Sequence, residues 1–281
     1  MTAMNPVRLA VNIEQFCYPD GTAALTDIRL EVERGEFCAL LGANGSGKTT
    51  LLKTMDGLIR EYRGTVLLDG QNILKLHPRD IYRKVGLVFQ NPDDQLFAHS
   101  VTEDVAFGPR NMGFGEDEVM RRVATALEQV EMTEDAVRNI HHLSYGQKKR
   151  VCIAGLLAMG HEILLLDEPT AGLDPVGEMR MMELLQKLNR SDGVTIVMAT
   201  HSVDMVPLFP GKVHILGKGR LVRSGSAAEV FRSPQEMEKV RLRLPHVAEL
   251  FWQMQQDGYN FEKLPLTIDD ARQKLALLLK K

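Results

Sequence analysis

The stretch that most narrows what this chain can fold into is LGANGSGKTT, residues 41–50. From Gly42 to Thr49 it matches G-x-x-x-x-G-K-[ST] in full, follows the apolar run FCALL and leads into TTLLKTM. The pattern predicts a strand, a glycine-rich loop and the start of a helix. Glycines at 42, 45 and 47 let the backbone curl so that successive N–H groups point inward, and the helix that starts near Lys48 adds the positive end of its dipole. Such a loop cradles phosphates. Lys48 is placed to neutralise the β- and γ-phosphates of a nucleotide, and Thr49 to ligate Mg²⁺. A glycine-rich turn with no ligand is the alternative, and the flanking strand and helix argue against it.

A second stretch, ILLLDEPTAGLD, supplies carboxylates. Its hydrophobic strand ends in Asp167, which suits Mg²⁺, and Glu168, which can face an attacking water. Solvated acids also end strands, but Pro169 and Gly172 force a tight turn directly afterwards. His201, after TIVMAT, could sense a γ-phosphate or hold the water; an exposed or structurally bonded histidine is the other reading. EILLLDE and VTIVMAT show no alternation, as expected for central strands of a parallel sheet covered on both faces. Between them Asp174-Pro175 opens a helix by a cap and a proline in its first turn, with Met181, Leu184, Leu185 and Leu188 on one face. β-rich segments dominate the first ninety residues, helices run from about 116 to 158, and GKVHILGKGRLVRSG reads as a hairpin closing the sheet.

The 281 residues suit one large domain, or one with a small appendage. A net charge of -3 provides no field for nucleic acid or an anionic membrane, so nucleic acid is not expected as a partner. No apolar run approaches the roughly 18 residues a spanning helix needs, and the start has no signal pattern. Cys17, Cys38 and Cys152 lack paired spacing and read as buried thiols in a reducing compartment.

HHLSYGQKKR, residues 141–150, presents a second anion-ready helix start far from the first. With the phosphate loop and ILLLDE in this order, the first 225 residues resemble the ATPase subunit of ABC transporters. The resemblance implies an α/β P-loop fold with a mixed core sheet, an antiparallel β part, a helical signature subdomain at about 91–158, and a small C-terminal helical extension over 226–281. It implies ATP and Mg²⁺ as cofactors. Tyr18 would stack on adenine, although an aromatic beside Pro19 in a turn suits packing alone equally well. Gly42, Ala43, Asn44, Gly45, Ser46, Gly47, Lys48, Thr49 and Thr50 would hold phosphates and metal. Gln90 would monitor Mg²⁺ and the lytic water, Glu168 would be the general base, and His201 the γ-phosphate switch. Ser144, Gly146, Gln147 and Asp174 would act on the ATP of a second, identical subunit paired head to tail.

Tyr145 stands where the usual signature has glycine; a helical backbone there would accept the side chain. An aromatic at this position, VGLVFQNPDDQLFAHSVTEDVAFGP, KKRVCIAGLLAM and LPLTIDDARQ are similar to the energy-coupling-factor class, its cobalt-uptake branch above all. That likeness implies a motor on the cytoplasmic face of a membrane, held by an integral coupling subunit at residues of about 91–107, with a substrate-binding membrane subunit alongside. Nickel or a vitamin would fit the same motor. A DNA-repair ATPase would need a coiled-coil insertion and a translation ATPase a second nucleotide-binding domain, and the sequence shows neither. Leu96 and Phe97, rimmed by Asp93, Asp94, Glu103 and Asp104, suggest an apolar groove with an acidic edge; alternatively the acids cap helices and the two hydrophobes join the core. In the tail, Val247, Leu250, Phe251 and Met254 form a stripe ended by Gly258, with Trp252 as a candidate anchor for dimerisation.

Overall fold

The computed structural model describes residues 7–209 and 211–278. Strands β1 (Val7–Cys17) and β2 (Ala23–Glu33) pair antiparallel, with Ile13 opposite Ile28 and buried positions alternating with exposed ones. β3 (Phe37–Leu41) is buried at every residue and runs through the glycine-rich loop into α1 (Lys48–Met55). The chain continues through β4 (Arg63–Leu68), β5 (Gln71–Asn72), α2 (Pro78–Tyr82) and β6 (Val85–Val88). Three helices follow, α3 (Val101–Asn111), α4 (Glu116–Gln129) and α5 (Tyr145–Met159), packed on one another. β7 (Ile163–Asp167), α6 (Pro175–Asp192), β8 (Thr195–Thr200) and the hairpin β9 (Lys212–Gly217) and β10 (Arg220–Gly225) complete the core. The tail holds α7 (Ala227–Val230), α8 (Pro234–Lys239), α9 (His246–Gln256) and α10 (Ile268–Leu278).

Two sheets result. One is antiparallel, in the order β2-β1-β4-β5; the other runs β10-β9-β3-β8-β7-β6 and is parallel except for β10. Because successive side chains of a strand point to opposite faces, the uninterrupted apolar runs divide by parity. Ala39, Leu41, Leu164, Leu166, Ile196 and Met198 join the core under the helices. Leu40, Ile163, Leu165, Val197 and Ala199 face α1 and the antiparallel sheet. Each fully buried leucine or isoleucine contributes about 2 kcal/mol, so both faces of the sheet must be covered, which explains the absence of alternation in these segments. Parallel pairing of β3, β7 and β8 also brings their carboxyl ends, and the loops after them, to one edge.

Several details depart from the sequence expectations. Cys17 is exposed, whereas Cys38 and Cys152 are buried, because Cys17 ends β1 at a register shift, beyond Gln15, the last β1 residue paired with β4. In α9 Val247, Phe251 and Met254 of the expected stripe pack into one small cluster, Ala248 joins the main core, and Leu250 is 54% exposed. Trp252 is partly buried against this chain's own core. The tail is helical, but packing runs straight across residue 226: Val230, Phe231, Met237, Leu242, Leu244 and Ala248 belong to the main core. Asp204, just past β8, accepts a bond from the His246 backbone N–H at 2.8 Å and pairs with Arg243, fastening the tail further. Phe251, Phe261 and Ala271 form a separate small buried cluster, against which Val247 and Met254 pack.

Candidate active site

The loop after β3 has the conformation its glycines permit. Gly47 caps α1 at φ 103°, and a Cβ there would stand 2.8 Å from the Ala24 carbonyl oxygen. A side chain is excluded both by the backbone angle and by the neighbouring strand. Lys48 is buried and folds its ammonium back to donate to the Gly42 carbonyl at 2.7 Å, with the Glu168 Oε1 at 3.4 Å. An arriving phosphate would compete with these partners.

Asp167 ends β7, and its Oδ2 accepts from the Thr49 hydroxyl at 2.6 Å. Its Oδ1 is buried and meets no hydrogen-bond donor among the described residues. Burial raises the carboxyl's pKa, opposed by the Thr49 bond and by Lys48. Glu168 follows at φ 50°, a left-handed conformation that is uncommon for a side-chain-bearing residue. Its carboxylate lies 2.9 Å from His201 Nδ1 in the loop after β8.

Tyr18, Gln90, Asp167, Glu168 and the loop from Asn44 to Thr50 line one open cleft of about 690 Å³. Gly42 and Ala43 precede that stretch, and Ala43 lines the adjoining cleft with Glu168 and His201. Tyr18 shares a 2.7 Å hydrogen bond with the Thr50 hydroxyl and stands edge-on to Phe16, so it is packed and still faces the cleft.

Ser144, Gly146 and Gln147 lie elsewhere, in a separate cleft of about 680 Å³ that also takes in Leu173, Gly177 and Arg180. The two clefts share no lining residue. Ser144 caps α5: its hydroxyl accepts from the Gln147 N–H at 3.3 Å, and the Gln147 side-chain oxygen accepts from the Ser144 N–H at 2.9 Å. Asp174 caps α6, accepting from the Gly177 N–H at 2.6 Å, between residues of that second cleft.

The family model for ABC transporters matches residues 25–171. The chain belongs to the ABC transporter ATPase family. A Geobacter sulfurreducens relative, named for the ABC transporter ATP-binding proteins, is 66% identical over 274 residues, 97% of this chain and 98% of its own. The energy-coupling factor transporter ATP-binding protein of Methanococcus maripaludis is 43% identical over 268 residues, 95% and 96% of the two chains. Among solved structures, cbiO1 from Clostridium perfringens, described as part of the ABC transporter complex cbiONQ, superposes with a TM-score of 0.77 at 41% identity. That match covers 88% of this chain and all of the other. The enzyme is therefore an ATPase that binds ATP, with the P-loop α/β fold, mixed sheet and helical part expected.

In this ATPase Tyr145 opens α5 as an ordinary helical residue, so the side chain in place of glycine carries no backbone strain. The expected acids make local bonds, and Asp93, Asp94 and Glu103 stay exposed at the surface. Glu103 is used in the cap of α3 with Ser100, Asp104 accepts from the N–H groups of Phe97 and Ala98 at 3.0 Å each, and Asp93 is paired with Lys148 at 2.6 Å. Leu96 packs on the core. Phe97 also points outward, 64% exposed and edge-on to Phe107, 48% exposed, with centroids 4.6 Å apart.

One residue escaped sequence reasoning. Lys149 is 1% exposed, and its ammonium donates to the backbone carbonyls of Glu168 at 2.6 Å and Ala171 at 3.0 Å. Burial lowers its pKa to about 8 against the pull of Glu168. The only signal was its place four residues after Tyr145, on the same face of the helix; three consecutive basic residues look alike until packing sorts them.

Proposed function

We propose that this ATPase is the motor of an energy-coupling-factor importer, with cobalt ion as its cargo. Two identical chains pair head to tail, so that the loop of one and the α5 start of the other enclose each ATP. The separation of the two clefts supports this pairing, since the phosphate loop and the α5 start lie in different clefts of one chain. Residues 1–225 carry the nucleotide-binding machinery; of the tail over 226–281, the part up to Ala248 completes the main core, and the rest helps hold the pair together. The name of the Methanococcus relative and the cbiO1 likeness support the importer class. The resemblance of residues 85–109 and of Tyr145 supports cobalt.

In each site Tyr18 would carry the adenine and the loop N–H groups the phosphates, with Lys48 turning from Gly42 to the γ-phosphate. Thr49, Asp167 and Gln90 suit Mg²⁺: a hydroxyl and a buried carboxylate already touch, and Asp167 Oδ1 still lacks a partner. When bound, that ion would offset charge on the β- and γ-phosphate oxygens. Glu168 would accept the proton of the attacking water, and His201, bonded to it, would orient the carboxylate and report on the γ-phosphate. Ser144, Gly146 and Gln147 with the α5 dipole would meet the partner's γ-phosphate, and Asp174 would order the turn at the interface.

Phe97 and Phe107 offer the membrane coupling subunit an apolar anchor within residues 91–107, and the exposed Asp93 and Asp94 lie in the same segment. Among the described residues no helix is long and apolar enough to cross a membrane, so attachment at the cytoplasmic face would run through the coupling and substrate-binding subunits.

The test is purification from membranes in mild detergent, identification of the co-purifying subunits, and uptake of radioactive cobalt, nickel or vitamin. Glu168→Gln should retain ATP binding, lose turnover and trap an ATP-bound dimer in sedimentation. Recovery of the chain without any membrane subunit would remove the importer reading.

A further inference from the structure

Three segments that carry the chemistry meet at the first turns of α5. The Tyr145 hydroxyl donates to the Gln90 carbonyl at 3.1 Å. Its ring lies against Gly172, where an added Cβ would stand 3.0 Å from Cε1. One turn on, Lys149 sends its buried ammonium under that ring, 5.1 Å from the centroid, to the carbonyls of Glu168 and Ala171.

A buried ammonium is costly to desolvate and a space-filling role does not require one, since a methionine has similar length and no charge. The bonds it makes are specific in place. They hold the peptide oxygen of Glu168, a residue kept at φ 50°, and the peptide oxygen three residues further along the turn. Fixing both carbonyls fixes the left-handed kink between them, and the kink sets where the Glu168 side chain leaves the backbone.

We propose that Lys149 is a positioning residue for hydrolysis: its two charge-assisted bonds hold the Glu168 backbone so that the carboxylate faces the water site of this chain's own phosphate loop. This rests on the reading of Glu168 as the general base. The helix doing the holding is the one whose first residues face the partner's ATP, so engagement of ATP in one site would be felt at the base of the other. Lys149 touches neither nucleotide nor water; it acts through Glu168.

The experiment compares Lys149→Met, Lys149→Gln and Glu168→Gln in the full chain, reading steady-state ATPase and the Kd of a fluorescent ATP analogue. Displacing a catalytic group by about 1 Å costs on the order of a hundredfold in rate. Lys149→Met should therefore lower kcat by about ten- to a hundredfold, with the Kd within about threefold of the parent. Lys149→Gln, whose amide can still donate to one carbonyl, should recover part of that loss; should the methionine variant not fold, the glutamine variant decides by the same split. A kcat within about twofold of the parent in the methionine variant, or a kcat and an affinity that fall together in both variants, overturns the proposal. If Glu168→Gln itself keeps full turnover, the base assignment fails instead, and the two failures are distinguished by which variant remains active.

Discussion

Replacing Gly172 by alanine tests the contact between the turn after Glu168 and the signature helix. Gly172 sits at φ 80°, and its missing side chain makes room for the Tyr145 ring, with Cε1 3.0 Å and Cδ1 3.3 Å from the ideal Cβ. Two costs follow. A left-handed alanine loses about 1–2 kcal/mol whatever surrounds it. The methyl must also push the ring, whose hydroxyl is tied to the Gln90 carbonyl and which has the Lys149 ammonium 5.1 Å from its centroid, at about 1 kcal/mol more. Gly172→Ala should thus destabilise the protein by about 2–3 kcal/mol. In a Tyr145→Gly background only the backbone part remains, so the same change should cost about 1 kcal/mol less. Urea unfolding of the four proteins closes the cycle, with unchanged m values as the sign that the denatured state is not involved. Equal costs in the two backgrounds, within about 0.5 kcal/mol, would show that ring and turn are not coupled.

Lys48→Ala should weaken ATP binding by at least about tenfold, the loss of one charge-assisted contact, in a calorimetric titration; unchanged affinity would exclude Lys48 from the phosphate site. Phe97→Ala with Phe107→Ala should change the stability of the isolated protein by less than about 1 kcal/mol, because both rings are already largely exposed, yet abolish co-purification with the membrane subunit. Uptake at the parent level in that double variant would move the docking surface elsewhere. His214 is buried on β9 with Nδ1 2.8 Å from the Ser224 hydroxyl, and burial, helped by Lys212, pulls its pKa from 6.5 down to about 4. The unfolded chain binds this proton more readily, so the contribution is complete above pH 6.5 and is lost as pH falls towards 4, about 3 kcal/mol in all. Asp56 works in the opposite sense: burial raises it to about 7, so its contribution is complete below 3.8 and is lost as pH rises through 7. His214→Gln should therefore flatten the acid side of the stability curve, measured by urea midpoints between pH 7 and 4; an acid loss equal to the parent's refutes the assignment.

What the sequence determined by itself lies within a few residues along the chain. The loop from Gly42 to Thr49 is set by glycine conformations and the helix start after it. The caps at Ser144 and Asp174 need only a side-chain oxygen and the N–H three residues on. The unalternating strands before Asp167 and Thr200 require a sheet covered on both faces, so the carboxyl ends had to gather. The tertiary structure decided everything that depends on which elements lie side by side. Cys17 emerged at the end of a strand, Glu103 and Asp104 were drawn into local bonds that cap and tie α3, and the start of the tail packed into the main core. It singled out Lys149 from a basic triplet by pointing it at carbonyls 19 and 22 positions away in sequence. Backbone hydrogen bonds and side-chain periodicity reach about four residues. Contacts across the layers are fixed only by how whole sheets and helices pack, which a local pattern does not encode.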